Sequence, residues 1–478
     1  MASLAPFRAT PERPWDRDCA AHLARRAGFG ATPTEIDRLV DLGCEAAVAS
    51  FLDWPETETG LDRRQAELGT ALAELGATEG SDTEGVSRLR MQWLWRMVGT
   101  AHPLREKLAM LWHDHFVTAE SKVIRAGLVR QQYDTFQRLG AASFRELAGA
   151  ISRDPAMLVY LDNRVSKKKH PNENWARELL ELFTLGVNRY QQRDVAEIAR
   201  VFTGWTTPDR NSGPFQFDSA DHDTNDKLVL GQAISGRKGA AGEEEGDEVI
   251  DLLVSREECA QFIAKKLAIW FVAHQPPAEL VDGLAGDFAR AKTSIRETLR
   301  ALFTSEAFYA PEFRFQMHKS PVEWAVSAAR LLGVRNIHTF GLEPRLARMG
   351  MRLFEPPSVA GWECGRAWTQ SSQLAERYEL ALAFSAVSHS KRAVFGAPAA
   401  DFQLLHSEAA EDSAALVNRL SAHLLHRELQ PAARAVVASH LDEALPVTAS
   451  GASRDHERRE RVRAVVHMLL CSPEFALA

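Results

Sequence analysis

The sequence predicts an all-α protein: one large multi-helix body with an irregular inserted loop that holds a short β-hairpin. Three observations carry this. Apolar residues recur at spacings of three and four from about Cys19 to Trp205. Helix-start chemistry appears repeatedly, and the strict apolar/polar alternation of half-buried strands is nearly absent.

The elements follow in order. Residues 1–14 carry Pro6, Pro11 and Pro14 and read as a flexible N-terminus. Gly28-Phe29-Gly30 ends a first helix, and Thr32-Pro33-Thr34-Glu35 is a capping box with proline at the first helical position. Similar starts are read at Ser255 with Glu258 and at Ser320-Pro321 with Glu323. Long helical stretches are expected at 85–101, 103–119, 122–138 and 256–274. The segment 206–247 is rich in Gly, Asp and Ser, with short apolar fragments at 215–217 and 228–230, so it reads as an inserted loop. Its acidic run, 243–248, reads as a solvated turn. A second non-helical stretch, 354–372, holds Pro356, Pro357, Gly361 and Gly365 beside Trp362 and Trp368. The expected division is a helical half at 15–205, the insert at 206–247, and a helical half at 248–478 packed on the first as one body.

Composition narrows the class. The chain has 478 residues, 45% hydrophobic and 25% charged, which excludes disordered and collagen-like classes. With 57 basic against 64 acidic residues the net charge is −7, and no dense basic block marks a nucleic-acid footprint. Five scattered cysteines form no CxxC pair, so neither a disulfide framework nor a thiolate zinc site is indicated. No run approaches the length of a membrane span, and the first residues lack a signal peptide's apolar stretch, so the chain as written reads as cytoplasmic.

Three polar clusters stand out. In 171–183, a helical projection puts Trp175, Leu179, Leu182 and Gly186 on one face, with Glu178 at its margin and Asn174 and Glu181 on the same flank. Partial burial beside a second carboxylate raises a carboxyl pKa toward the acid/base range. The plainer reading is an ion-pair ladder of Glu173, Arg177 and Glu181. In Trp112-His113-Asp114-His115-Phe116, His115 projects to the centre of the buried face and His113 does not. His115 is then either a satisfied core histidine or a general base lining a cleft. In Asp221-His222-Asp223-Thr224-Asn225-Asp226, the pattern starts like an EF-hand loop but has Asp226 where glycine is needed and Gln232 in place of the closing glutamate. A solvated turn, another oxygen-rich metal site and a substrate-facing loop remain open there.

These residues lie in stretches that resemble a bacterial family catalogued as domain of unknown function eighteen hundred. The matching segments are 22–32, 111–118, 153–162, 171–186, 202–205, His222-Asp223, 319–323 and 359–362. The resemblance implies no reaction. Relatives often look exported, and their loop motif reads His-Asp-x-Gly-x-Lys; here His222, Asp223 and Lys227 match while Asn225 replaces the glycine.

The functional expectation is a hydrolase with a carboxylate pair and a carbohydrate substrate, small or polymeric. Glu178 would donate the proton, Glu181 or Asp223 would act as base or nucleophile, and His115 would complete the catalytic set. Asn172, Asn174, Arg177, His222, Trp362 and Trp368 would bind substrate. No cofactor is expected on this reading. One alternative is a divalent metal held by His115, His222, Glu178, Glu181 and Asp223; another is a non-catalytic assembly partner of a second protein. If one site exists, Glu178 and His115 should face a common cavity and 206–247 should fold back over its mouth.

Overall fold

The computed structural model describes residues 4–55, 82–209, 213–334, 337–386, 412–444 and 452–478. Helices dominate them: α1 (Arg17–Arg26), α2 (Pro33–Leu52), α3 (Asp82–Gly99), α4 (Pro103–His115), α5 (Ala126–Leu139), α6 (Phe144–Ser152), α7 (Pro155–Tyr160), α8 (Glu173–Glu178) and α9 (Gln192–Val201) form the first group. After the insert come α10 (Glu244–Val254), α11 (Glu257–Phe271), α12 (Ala278–Arg290), α13 (Ile295–Phe303), α14 (Pro321–Leu331), α15 (Leu342–Arg348), α16 (Ser371–Ala386), α17 (Ser413–Leu425), α18 (Pro431–Ala444) and α19 (Ala452–Leu470).

The capping boxes at Thr32/Glu35 and Ser320/Glu323 form as read, each side chain closing on the other residue's backbone amide. The third start is displaced. Ser255 ends α10 and gives its hydroxyl to the Leu252 carbonyl, while Glu258 pairs with Arg256 at 3.1 Å. Two helices separated by a few residues each need a polar terminus, and Ser255 serves the first.

The insert is a folded part of the body. Trp205–Thr206 (β1) pairs antiparallel with Gln216–Phe217 (β2), and Lys227–Val229 (β3) with Gln232–Ile234 (β4). Leu230 and Gly231, both at positive φ, make the tight turn of the second pair, the conformation that twist-matched hairpins require. The acidic run is the first turn of α10 instead of a solvated turn. There Glu245 is fully buried, and acidic side chains suit a helix N-terminus.

The two halves pack together through long-range contacts. The supposed flexible N-terminus is pinned from Leu4 onward: the Phe7 amide donates to the Thr304 carbonyl, the Glu306 amide to Ala5, and the Phe7 ring packs on Trp15 and Tyr309. Burying that ring and tying those amides outweighs the freedom that three prolines suggest. Further across, Arg330 gathers the carbonyls of Met97, Val98 and Thr100, and buried Arg90 bridges Glu120, Glu343 and the Leu353 carbonyl. The helix α4 runs through the middle with nearly every residue buried, His113 included. A helix covered all round has no exposed face, so a two-sided projection misplaces His113.

Candidate functional site

A cleft of about 980 Å³ opens between the end of α4, the residues after α8, α11, the start of α14 and the 360–368 loop. Its geometry begins at Asp114, the last buried carboxylate of α4. Asp114 Oδ1 accepts the Trp362 amide at 2.7 Å, and Lys266 Nζ of α11 stands 3.7 Å from Oδ2. Burial pushes the Asp114 carboxyl above the usual range, with Lys266 and the Trp362 amide pulling the other way. The approach depends on Gly361: it sits at φ +89°, and a Cβ there would lie 2.3 Å from Asp114 Oδ1. The sequence reading passed over Asp114 although it stands between the two histidines weighed as candidates.

Glu181 forms part of the opposite lining. It belongs to a π-helical turn, Leu179–Thr184, that continues α8. Wider i→i+5 bonding rotates everything beyond Glu178 away from an α-helical projection. Trp175 and Leu179 therefore go to the core, while Leu182 and Gly186 border the cleft. The expected ladder stops at its first rung: Arg177 pairs with Glu173 at 3.1 Å, and Glu181 instead accepts the Tyr190 hydroxyl. Glu178 is half-buried and does not line the cleft; burial first, then Glu181, raises its carboxyl pKa. The carboxylates are neighbours, as projected, but only one reaches the cavity.

His115 is a core histidine bonded through one ring nitrogen, its Nδ1 having no partner. Its Nε2 bonds the Phe183 carbonyl at 3.1 Å, one of the helix-end carbonyls left without an intrahelical donor, and aromatic rings enclose it. Burial holds its pKa well below the ordinary value, so it is neutral. Neither His115 nor Glu178 is among the described residues that line this cleft.

None of the described residues of the 206–247 segment lines the cleft. His222 and Lys227 both turn inward to Glu245: His222 Nε2 lies 3.1 Å from Oε1, Nδ1 bonds the Thr203 carbonyl, and Lys227 Nζ holds Oε2 and the Asp223 carbonyl. Burial alone would raise the Glu245 carboxyl, but His222 and Lys227 hold it below the usual range. Asp223 takes Arg200 at 2.8 Å and the Asn225 amide at 2.9 Å, which outweigh burial and hold it down at about 2. The His-Asp-x-x-x-Lys motif thus fastens the insert to α10. Loops can deliver catalytic groups, but here the buried Glu245 captures them from inside.

The other candidates divide. Asn172 caps α8 by accepting the Asn174 amide and donates to the Asp162 carbonyl, Asn174 is exposed, and Arg177 is occupied by Glu173 and Gln192. Trp362 and Trp368 both line the cleft, joined by Trp270. The five-residue metal set does not converge, and among the described residues no group of three or more His, Cys, Asp or Glu side chains is placed to hold a metal ion. All five cysteines are free.

Fold and site together define a helical protein with one mixed-charge, tryptophan-lined cleft at the junction of its halves. The family model described as protein of unknown function (DUF1800) matches residues 22–477, and the chain belongs to that family. No curated protein and no solved structure matches it. No helix among the described residues is long and apolar enough to cross a membrane.

Proposed function

We propose that the cleft is a carbohydrate site and that the protein is a hydrolase, with Asp114 as proton donor and Glu181 as the second carboxylate. One observation carries the reading: Asp114 and Glu181, two of the six carboxylates in the lining, share with three indoles, from parts of the chain as far apart as Asp114 and Trp368, a single cavity large enough for a small ligand. The environments of the two acids differ. Asp114 is buried with its pKa raised, the condition for holding a proton, while Glu181 is hydrogen-bonded by Tyr190 at the partly open wall. Such a division of labour between carboxylates suits glycosidic cleavage. Indole faces suit sugar rings because the C–H groups of a ring stack on an aromatic surface.

The test is reducing-end release from a panel of oligosaccharides by the purified chain, with Asp114→Asn and Glu181→Gln as variants. Loss of activity by about a hundredfold or more in either variant, with unfolding unchanged, supports the assignment. Wild-type protein that neither cleaves any member nor shows indole fluorescence quenching with them overturns it.

A further inference from the structure

At the α14 end of the cleft, Glu323 is the lone carboxylate in front of a buried group of cations. Lys107 lies 2.9 Å from Glu323 and also donates to the carbonyls of Arg25 and Arg26. Arg26, almost wholly buried, uses Nη2 on the Val272 and Phe313 carbonyls, leaving Nε and Nη1 without an acceptor. Arg377 of α16 is equally buried, uses Nη2 on the Lys319 carbonyl, and likewise leaves Nε and Nη1 unpartnered. Lys319 donates to the Phe475 carbonyl. Two further acids pair with other arginines: Asp18 with Arg314 and Glu474 with Arg427, each at 3.9 Å. Uncompensated buried cations cost several kcal/mol each unless an anion faces them. Burial leads in pushing Lys319 down to about 7 and Arg377 to about 10.

The cleft wall in front of this group has the matching deficiency. The His318 amide donates to His274 Nε2 at 3.2 Å, so the proton of neutral His274 is on Nδ1, and that N–H finds no acceptor. The two rings stack 6.1 Å apart, and His318 Nδ1 is also unpartnered. With Trp362 Nε1, these are the buried unpartnered side-chain atoms among the cleft-lining residues described, and all are nitrogens. His274 Nδ1 and Trp362 Nε1 carry protons, and His318 Nδ1 carries one in the tautomer that an anion would select, so the ligand these donors lack is an acceptor, because buried donors in a finished site are paired.

We infer that this end of the cleft binds an oxyanion, the carboxylate or phosphate of a charged substrate, at His274, His318 and Ser320, with Lys107, Arg26, Lys319 and Arg377 supplying the field behind it. The inference rests on the cleft being a carbohydrate site only for the remainder of the ligand; it narrows that ligand to an acidic sugar, a uronate or a sugar phosphate. Glu323 remains the internal partner of Lys107 and keeps the empty site from carrying a bare excess of charge.

Calorimetric titration of the full chain with inorganic phosphate, glucuronate and glucose at constant ionic strength tests it. Phosphate or glucuronate should bind and raise the melting temperature, as any ligand of the folded state does, while glucose alone should be weaker. His318→Gln and His274→Gln should each weaken the bound anion by about tenfold, the worth of one charge-assisted hydrogen bond. Response to phosphate alone or to glucuronate alone identifies the group. If neither anion binds below about 10 mM, or if both histidine variants bind as the wild type does, the inference is wrong. Neutral oligosaccharides that quench the indoles while anions do not bind would remove the anion site and leave the carbohydrate reading; anion binding without any sugar response would do the reverse.

Discussion

Gly361→Ala is the sharpest perturbation of the cleft. Residue 361 sits at φ +89°, where an alanine pays conformational strain, and the new Cβ would lie 2.3 Å from Asp114 Oδ1 and 2.6 Å from the Asp114 carbonyl oxygen. Those atoms belong to a buried helix end that cannot retreat, so the 360–362 loop must lift and the 2.7 Å bond from the Trp362 amide to Asp114 breaks. Strain of about 1 to 2 kcal/mol and loss of a charge-assisted hydrogen bond of about 1.5 to 3 kcal/mol give a destabilisation of about 2.5 to 5 kcal/mol. Gly231→Ala is the control. It lies at φ +82° in the β3–β4 turn with nothing within 4 Å of its Cβ, and should lose only the backbone strain. Urea unfolding followed by circular dichroism reads both. Equal losses in the two variants would refute the claim that close approach to Asp114 is what requires glycine at 361.

Three further outcomes follow from the same geometry. Glu245→Gln leaves Lys227 as a buried cation without its carboxylate and should cost about 3 to 5 kcal/mol in urea unfolding; a loss below about 1 kcal/mol would remove the anchoring role of the insert. Asp223 is held at about 2, below its unfolded value, so its contribution is present above about pH 4 and is lost as pH falls from there toward 2. Arg200→Gln should flatten that acid limb of the stability profile, and an unchanged limb would assign it to other groups. Glu178 has its pKa raised by burial and by Glu181, so Glu178→Gln should be neutral or stabilising by about 0.5 kcal/mol at pH 7. A marked loss of stability would mean that its charge is needed.

The legible parts of this molecule were those governed by neighbours in sequence. Thr32 and Glu35, or Ser320 and Glu323, stand only three positions apart and close a cap on their own, so the helix starts are read directly. Ser255 has the same pattern, but local chemistry cannot tell the end of one helix from the start of the next. Projection failed where the helix itself changed: the π-turn after Glu178 separates that residue from the cleft and delivers Glu181, and no 100° wheel contains that turn. Asp114 was hidden because its partners, Lys266 and the Trp362 amide, lie 152 and 248 residues away. Glu245 reads as solvated in sequence because an acidic run states its charge and not its partners, His222 and Lys227. The indoles of Trp362 and Trp368 needed no partner to be noticed in a Gly/Pro loop, and both reach the cavity.

The first helix carries a consequence for biosynthesis. His22 bonds the Phe308 carbonyl, Arg26 those of Val272 and Phe313, and the Ala31 carbonyl accepts from His426. These polar groups at α1 are thus satisfied by segments made hundreds of residues later. At translation rates of about 5 to 20 residues per second, α1 waits tens of seconds for these partners. A nascent chain stopped before residue 272 therefore lacks every one of these partners and should leave α1 open to protease.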